Sequence, residues 1–412
     1  MASPSSIREV RARVGTSFAT THDDASGDSW ALSNGVIHKL RAVSVDTAGL
    51  EQPGIDDETM QTRMHNKPAM IAGLRKGSIR LSTYAEGAYS NVGETPAQNI
   101  AAACAGGIAN PVTNRTDAAE AAVSTVNVAA TGCSSFVATG QAALLGVRGD
   151  GKGGGEIRPI NSLSGDDHMG LSVATAGAVD TGDAIVYSTT IYPDEDATQK
   201  YVDFLVIGHA AADQVQTIGA VGTFTMGGMG IGELPLFEFD FNTGDWQYAP
   251  SGARASLATT TDPYGGEPPF ERGIGVVHVG DQGSSTRTSY RCTDVTFDPG
   301  LANEEQPGPA GVNGMDGQQH MPGVPTLELT ILTGEDDGVL DDFPSTSKHV
   351  LVQLGHQATK AMAIELQNAS LQGKPQRVEV NNLTGWRCVF FGKENTSGST
   401  DLDKASWRVH CC

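Results

Sequence analysis

Leu236-Phe237-Glu238-Phe239-Asp240-Phe241 decides the fold class of this 412-residue chain. The three phenylalanines fall on one side of an extended segment and Glu238 and Asp240 on the other, the period of two expected of a strand with one wet face. The stretch Thr326–Leu332 repeats the pattern, with Leu327, Leu329 and Ile331 opposed to Glu328 and Thr330. So does 74–84, where Ile79 and Leu81 alternate with Ser78, Arg80 and Ser82. Working outward, further strands are expected over 201–208, 217–226, 275–279, 350–354, 362–366, 377–380 and 387–391. The expected fold is mainly β, a sandwich or barrel with one or two short α-helices.

The helical signals are local. Thr95 suits an N-cap and Pro96 the first helical position; alanine-rich 98–105 follows, and Gly106-Gly107 supplies the stop. A second alanine-rich stretch, 117–123, is an equally short helix candidate. Between 123 and 192 the texture changes to small strands separated by glycine, which predicts an inserted small β-barrel subdomain. The expected organisation is an N-terminal arm over 1–35, a β domain over 36–122 and 193–412, and the insertion over 123–192. The Gly/Pro-rich connections 248–272 and 299–325 are too long for hairpin turns and suggest function or partner contact.

Composition narrows the function. With 27 Lys+Arg against 48 Asp+Glu, a net charge of -21 and a pI near 4.7, the chain lacks the basic patch that phosphate binding needs. No apolar run approaches the ~18 residues of a membrane span, and the first residues lack a signal peptide's apolar stretch, so no membrane anchor and synthesis in the cytoplasm are expected. The six cysteines show no CxxC spacing and read as reduced packing residues. The pair Cys411-Cys412 follows a strand-like alternation rather than a flexible tether, which argues against lipidation.

Motifs of catalysis fail on inspection. Gly146-Val147-Arg148-Gly149-Asp150-Gly151-Lys152 matches a phosphate-binding loop, but Gly153 stands where the Mg²⁺-holding hydroxyl belongs and a strand-like segment follows. The Arg148-Gly149-Asp150 tripeptide carries no weight alone. Glu335-Asp336-Asp337-Gly338 with Asp341-Asp342 lacks EF-hand spacing and reads as a solvated acidic loop. Cys133 has no recognisable nucleophile context, the ten His form no HExxH, and no GxSxG elbow occurs. The chain is expected not to be an enzyme and to hold no cofactor or metal.

Several segments resemble one family, the tail tube proteins of tailed bacteriophages. They are Gly54-Ile55-Asp56-Asp57-Glu58 and the run from His65-Asn66-Lys67-Pro68 to Ile79-Arg80-Leu81, then the short helix before Gly106-Gly107. Next come Ile218-Gly219-Ala220-Val221-Gly222-Thr223-Phe224 leading to Glu233-Leu234-Pro235-Leu236-Phe237-Glu238-Phe239, and closing strands at 351–355, 362–369 and 386–391. The likeness covers most of 45–392; the insertion and the long C-terminal loops exceed a minimal tube subunit.

The resemblance implies a structural virion protein that forms hexameric rings stacked into a tail tube, through which DNA passes without sequence-specific binding. Implied partners are further copies of the chain and other tail proteins: tape measure, terminator, baseplate or tip. A negative lumen would repel DNA phosphates and let the genome slide. Glu238, Asp240, Glu328, Glu365 and Glu379, on polar faces of alternating strands, are the candidate lumen-lining acids. The arm 1–34, the loop 46–68 and the stretch 299–325 are the expected joints. The competing reading is a β-sandwich receptor- or glycan-binding or capsid-decoration protein; four Trp and eight Tyr offer few stacking surfaces for sugars.

Overall fold

A computed structural model of the chain describes residues 7, 9–17, 30, 37–52, 54–55, 71–72, 75–87, 95–111, 115–121, 125–128, 137–145, 155–164, 168–173, 184–208, 214–230, 232–248, 274–283, 288–312, 315–321, 323–332, 347–356 and 360–412. The fold is mainly β. The described residues include two short α-helices, Pro96–Ala105 and Asp401–Lys404.

One antiparallel sheet runs through Ala42–Asp46, Lys76–Tyr84, Leu236–Thr243, Gln214–Gly227, Thr288–Asp298, Thr326–Leu332, Leu383–Gly392 and Gln376–Val380. Its apolar face carries Phe237, Phe239, Phe241, Leu327, Leu329 and Ile331 into one core. There Phe224 meets both Phe237 and Trp407 edge-on, with ring centroids 5.7 and 5.9 Å apart. Pairings also lead from Thr288–Asp298 through Ile274–Asp281, Lys348–Leu354 and Met362–Leu371 back to Leu383–Gly392, so this part of the sheet closes on itself. The last hairpin turns at Asn381 and Asn382, whose φ values of 51° and 63° give the mirror-image turn that matches strand twist.

The helix Pro96–Ala105 forms as its sequence predicts. Thr95 Oγ1 accepts from the Gln98 amide while Gln98 Oε1 accepts from the Thr95 amide, a reciprocal capping box. Gly106, at φ 98°, closes the helix by donating to the Ala102 carbonyl. The alanines leave no bulk, so the helix lies against Glu9–Gly15, Gln214–Gly227 and Thr189–Pro193 with nearly all its side chains buried.

The insertion is a closed six-stranded barrel built from Arg115–Ala121, Thr125–Val128, Ala142–Leu145, Glu156–Ser164, His168–Leu171 and Ala184–Tyr187. Its first strand corrects two expectations. The alanine-rich stretch expected as a helix over 117–123 is strand through residue 121: Arg115–Ala121 pairs with Thr125–Val128 on one side and Ala184–Tyr187 on the other, and closing the barrel outweighs alanine's helix preference. The subdomain therefore begins before residue 123, and Thr189–Pro193 already belongs to the main body through pairing with Gly106–Ala109 and Arg408–Cys411.

The barrel is packed onto the main body rather than hung from it. Ala143 and Leu145 face its own core, whereas Ala142 and Leu144, with Ile157, Val173 and Val186, meet Leu351, Ala361, Ala363 and Cys412. Gln353 reinforces the contact, accepting from the Ile157 amide at 2.9 Å and donating to the Gly155 carbonyl at 2.7 Å. Cys411 and Cys412 are buried free thiols, and burial pushes both pKa values up.

Two further expectations change. Residues 1–35 are not wholly an arm: Glu9–Gly15 is a strand between Tyr201–Ile207 and Ile37–Leu40, with Val10 and Ala12 in the core. Arg11 pairs with Glu9 and donates to the Trp30 carbonyl, so its charge is satisfied inside. The stretch 299–325 is not a loop but largely the hairpin Ala302–Val312 and Met315–Met321. Thr288–Asp298 and Asp245–Tyr248 are strands that no expectation included. The phosphate-loop-like run 146–153, Cys133, the acidic run 335–342, most of the connection 248–272 and most of the loop 46–68 lie outside the described residues.

Candidate functional site

The outward face of the long sheet gathers three of the five nominated acids. Register places Glu238 between Ser82 and Thr225, and Asp240 between Arg80 and Thr223. Three strands further along the sheet, Glu328 stands between Thr296 and Val389. Antiparallel partners share a face, and the Met226–Phe297 pair joins the two halves with both side chains buried, which puts Glu238, Asp240 and Glu328 on the same outward side.

The face is polar and only partly neutralised. Arg80 Nε donates to Asp240 at 2.9 Å, and Arg387 grips Glu328 with two nitrogens, the Nη2–Oε2 contact being 2.7 Å. Asp46, opposite Arg80, and Asp294 and Asp298 point the same way and are exposed. On this side the described residues place seven carboxylates (Asp46, Glu51, Glu238, Asp240, Asp294, Asp298, Glu328) against the cations of Lys76, Arg80, Arg291 and Arg387. The surplus is negative.

Two nominated residues lie elsewhere. Glu379 is exposed, but it pairs with Thr384 on the opposite side of the sheet, so it does not join the other three. Glu365 is a correction: it is 0 % exposed, and its carboxylate is enclosed by His349 at 2.6 Å, Arg408 at 3.0 Å and His410 at 3.0 Å. A side chain sealed in this way lines no channel. Burial desolvates the carboxylate, but the Arg408 guanidinium and the hydrogen bonds with His349 and His410 outweigh that and hold its carboxyl well below the usual range.

From Glu365 a chain of polar contacts crosses to the insertion. His410 donates from Nε2 to Glu365, so Nδ1 accepts from Thr190 Oγ1 at 3.0 Å; Thr190 in turn contacts Ser188 Oγ, which accepts from the Ala142 amide. Thr190, His410 and Glu365 thus have the connectivity of a nucleophile, base and acid. All three are 0 % exposed. The chain serves to fix the C-terminal strand Arg408–Cys411 and the barrel's exit strand in register.

A cleft of about 540 Å³ opens elsewhere, between the C-terminal end of the Pro96–Ala105 helix, the segment 193–201 and the hairpin Ala302–Met321. The hairpin is docked by polar contacts: Asn303 Nδ2 to the Val221 carbonyl at 3.0 Å, Gln318 Nε2 to the Asn242 carbonyl at 3.1 Å, and His320 Nε2 with the Ala103 carbonyl at 3.1 Å. Sequence reasoning missed this cleft because the hairpin read as loop. No described group of His, Cys, Asp and Glu side chains has the arrangement of a metal site. No family model matches the chain, and no curated protein matches it.

Proposed function

We propose that the chain is a structural virion protein that polymerises as stacked, hexameric rings into a phage tail tube, with a negatively charged channel for DNA passage. One observation carries this reading: the sheet bearing the acidic face ends in two strands that pair on one side only. Ala42–Asp46 pairs only with Lys76–Tyr84, and Gln376–Val380 only with Leu383–Gly392, among the described residues. Open edges expose unpaired N–H and C=O groups, a liability in a monomer and a joint in a polymer. Edges at the two ends of one sheet can meet head to tail, and a head-to-tail contact that closes generates a ring.

The acidic face then lies along the sheet that lines such a ring, where a surplus of carboxylates repels phosphate and keeps DNA from sticking. The resemblance of the sequence to tail tube proteins points to the same function. The test is sedimentation velocity over a concentration series, comparing the unaltered chain with Val43→Pro. Val43 is 48 % exposed on the edge strand, and proline removes a ladder donor there. Concentration-dependent rings lost in Val43→Pro support the reading; a chain that stays monomeric at every concentration contradicts it.

A further inference from the structure

The two end strands of the long sheet match each other in direction. From Ala42–Asp46 to Gln376–Val380 the sheet has eight strands, each antiparallel to the next, so its two ends run in opposite directions. Rotation about an axis along the strands leaves strand direction unchanged. A second copy turned about such an axis therefore brings its Ala42–Asp46 antiparallel to Gln376–Val380. Antiparallel partners share a face, and the residues on the outward face are Ser44 and Asp46 at one end and Gln376, Val378 and Val380 at the other.

Charge and apolar surface are laid out along the two edges in opposite order. The Gln376–Val380 edge begins with the exposed ammonium of Lys374 and ends apolar. There Leu332 and Val378 close over Gly385, each within 3.4 Å of where its Cβ would stand, and Val380 lies opposite Leu383, which is 57 % exposed. The Ala42–Asp46 edge begins with exposed Val43 and ends on the exposed carboxylate of Asp46. Laid antiparallel, Asp46 comes to Lys374 and Val43 to the apolar end. Laid parallel, Asp46 would be pressed against the apolar end and lose hydration without a counter-charge. We propose that Ala42–Asp46 of one copy adds antiparallel to Gln376–Val380 of a second copy, with Ser44 opposite Gln376, Asp46 paired with Lys374, and Val43 at the end formed by Val378, Val380 and Leu383. The inference rests on the assembly reading and makes the acidic face continuous from copy to copy.

The experiment is cysteine cross-linking of the full chain with copper phenanthroline, read on non-reducing gels beside sedimentation of the same samples. Cα atoms of directly opposed antiparallel residues lie about 4.5–5.5 Å apart, within the span of a disulfide. The variant carrying Ser44→Cys and Gln376→Cys, both at exposed positions, should give a ladder of covalent multimers that the unaltered chain and each single variant lack. Asp46→Cys with Val380→Cys reports the parallel alignment and should give none. Rings that sediment normally without the first ladder, or with the second in its place, would overturn the alignment and leave assembly standing. Covalent dimers from Ser44→Cys alone would show a two-fold joint between like edges and overturn the proposal. A chain that stays monomeric at every concentration would overturn the assembly reading and this inference with it.

Discussion

The Glu365 carboxylate and the Arg408 guanidinium meet at 3.0 Å with both side chains all but sealed from solvent, at 0 % and 2 % exposure. Arg408 also donates to the Leu402 carbonyl and to Gln367, so the pair ties the C-terminal strand to the neighbouring strand Met362–Leu371 and to the short helix before it. Removing one partner of a buried pair leaves the other charge uncompensated. Glu365→Ala should therefore destabilise the fold by about 3–5 kcal/mol, read as a shift of the urea midpoint. A midpoint within error of the unaltered chain would show that Arg408 finds other compensation.

The same cluster sets an acid limit. Glu365 titrates well below its ordinary 4.5 in the fold, so its contribution is present above that value and is lost as pH falls through the folded pKa. His410 is held below its ordinary 6.5, chiefly by burial, so the unfolded chain takes up its proton first and stability falls as pH drops beneath 6.5. Both act in one direction. Calorimetry should show Tm falling from neutral pH downward, with the limb just below 6.5 flattened in His410→Gln; an unchanged limb would remove His410 from the account.

Gly222 marks the tightest packing against the phenylalanine row. A Cβ there would come within 2.3 Å of the Phe241 ring, which is itself buried against Phe204 and Phe239. Gly222→Ala should cost about 1–3 kcal/mol through a displaced ring, with the near-ultraviolet circular dichroism altered. Loss of stability without an aromatic signature would point away from Phe241.

The pairs on the outward face are exposed and contribute little to stability, so their charges can be changed without unfolding the chain. The variant carrying Glu238→Gln, Asp240→Asn and Glu328→Gln removes the carboxylates bonded to Arg80 and Arg387 and the negative surplus of that face, while Asp46, Glu51, Asp294 and Asp298 remain. Assembled protein with these changes should retain double-stranded DNA at low salt where unaltered protein does not, measured by co-sedimentation. Equal retention by both would detach the face from DNA passage.

How far the sequence spoke depends on what covers each strand face. Phe237, Phe239 and Phe241 alternate against solvent-facing neighbours, so their strand and its buried side were legible from period alone. Met362–Leu371 deceived because both its faces are packed: Met362, Ile364 and Leu366 enter the main core, while Ala363 faces the inserted barrel and Glu365 faces buried basic groups. A polar residue in an alternating strand shows which side differs, not whether that side is wet. Arg115–Ala121 was hidden for another reason, since alanine's helical preference is local and barrel closure is not. The strand Glu9–Gly15 was hidden by arginines whose carboxylate partners are Glu9, its near neighbour, and the distant Asp203. The cleft beneath the 302–321 hairpin depends on contacts between segments some 80 to 220 residues apart, such as Asn303 with Val221 and His320 with Ala103.

The central claim is assembly, and electron microscopy of the negatively stained, purified chain across a concentration series tests it most directly. The account predicts hollow rings or tubes of uniform diameter as concentration rises. Monodisperse single copies at the highest concentration would contradict it.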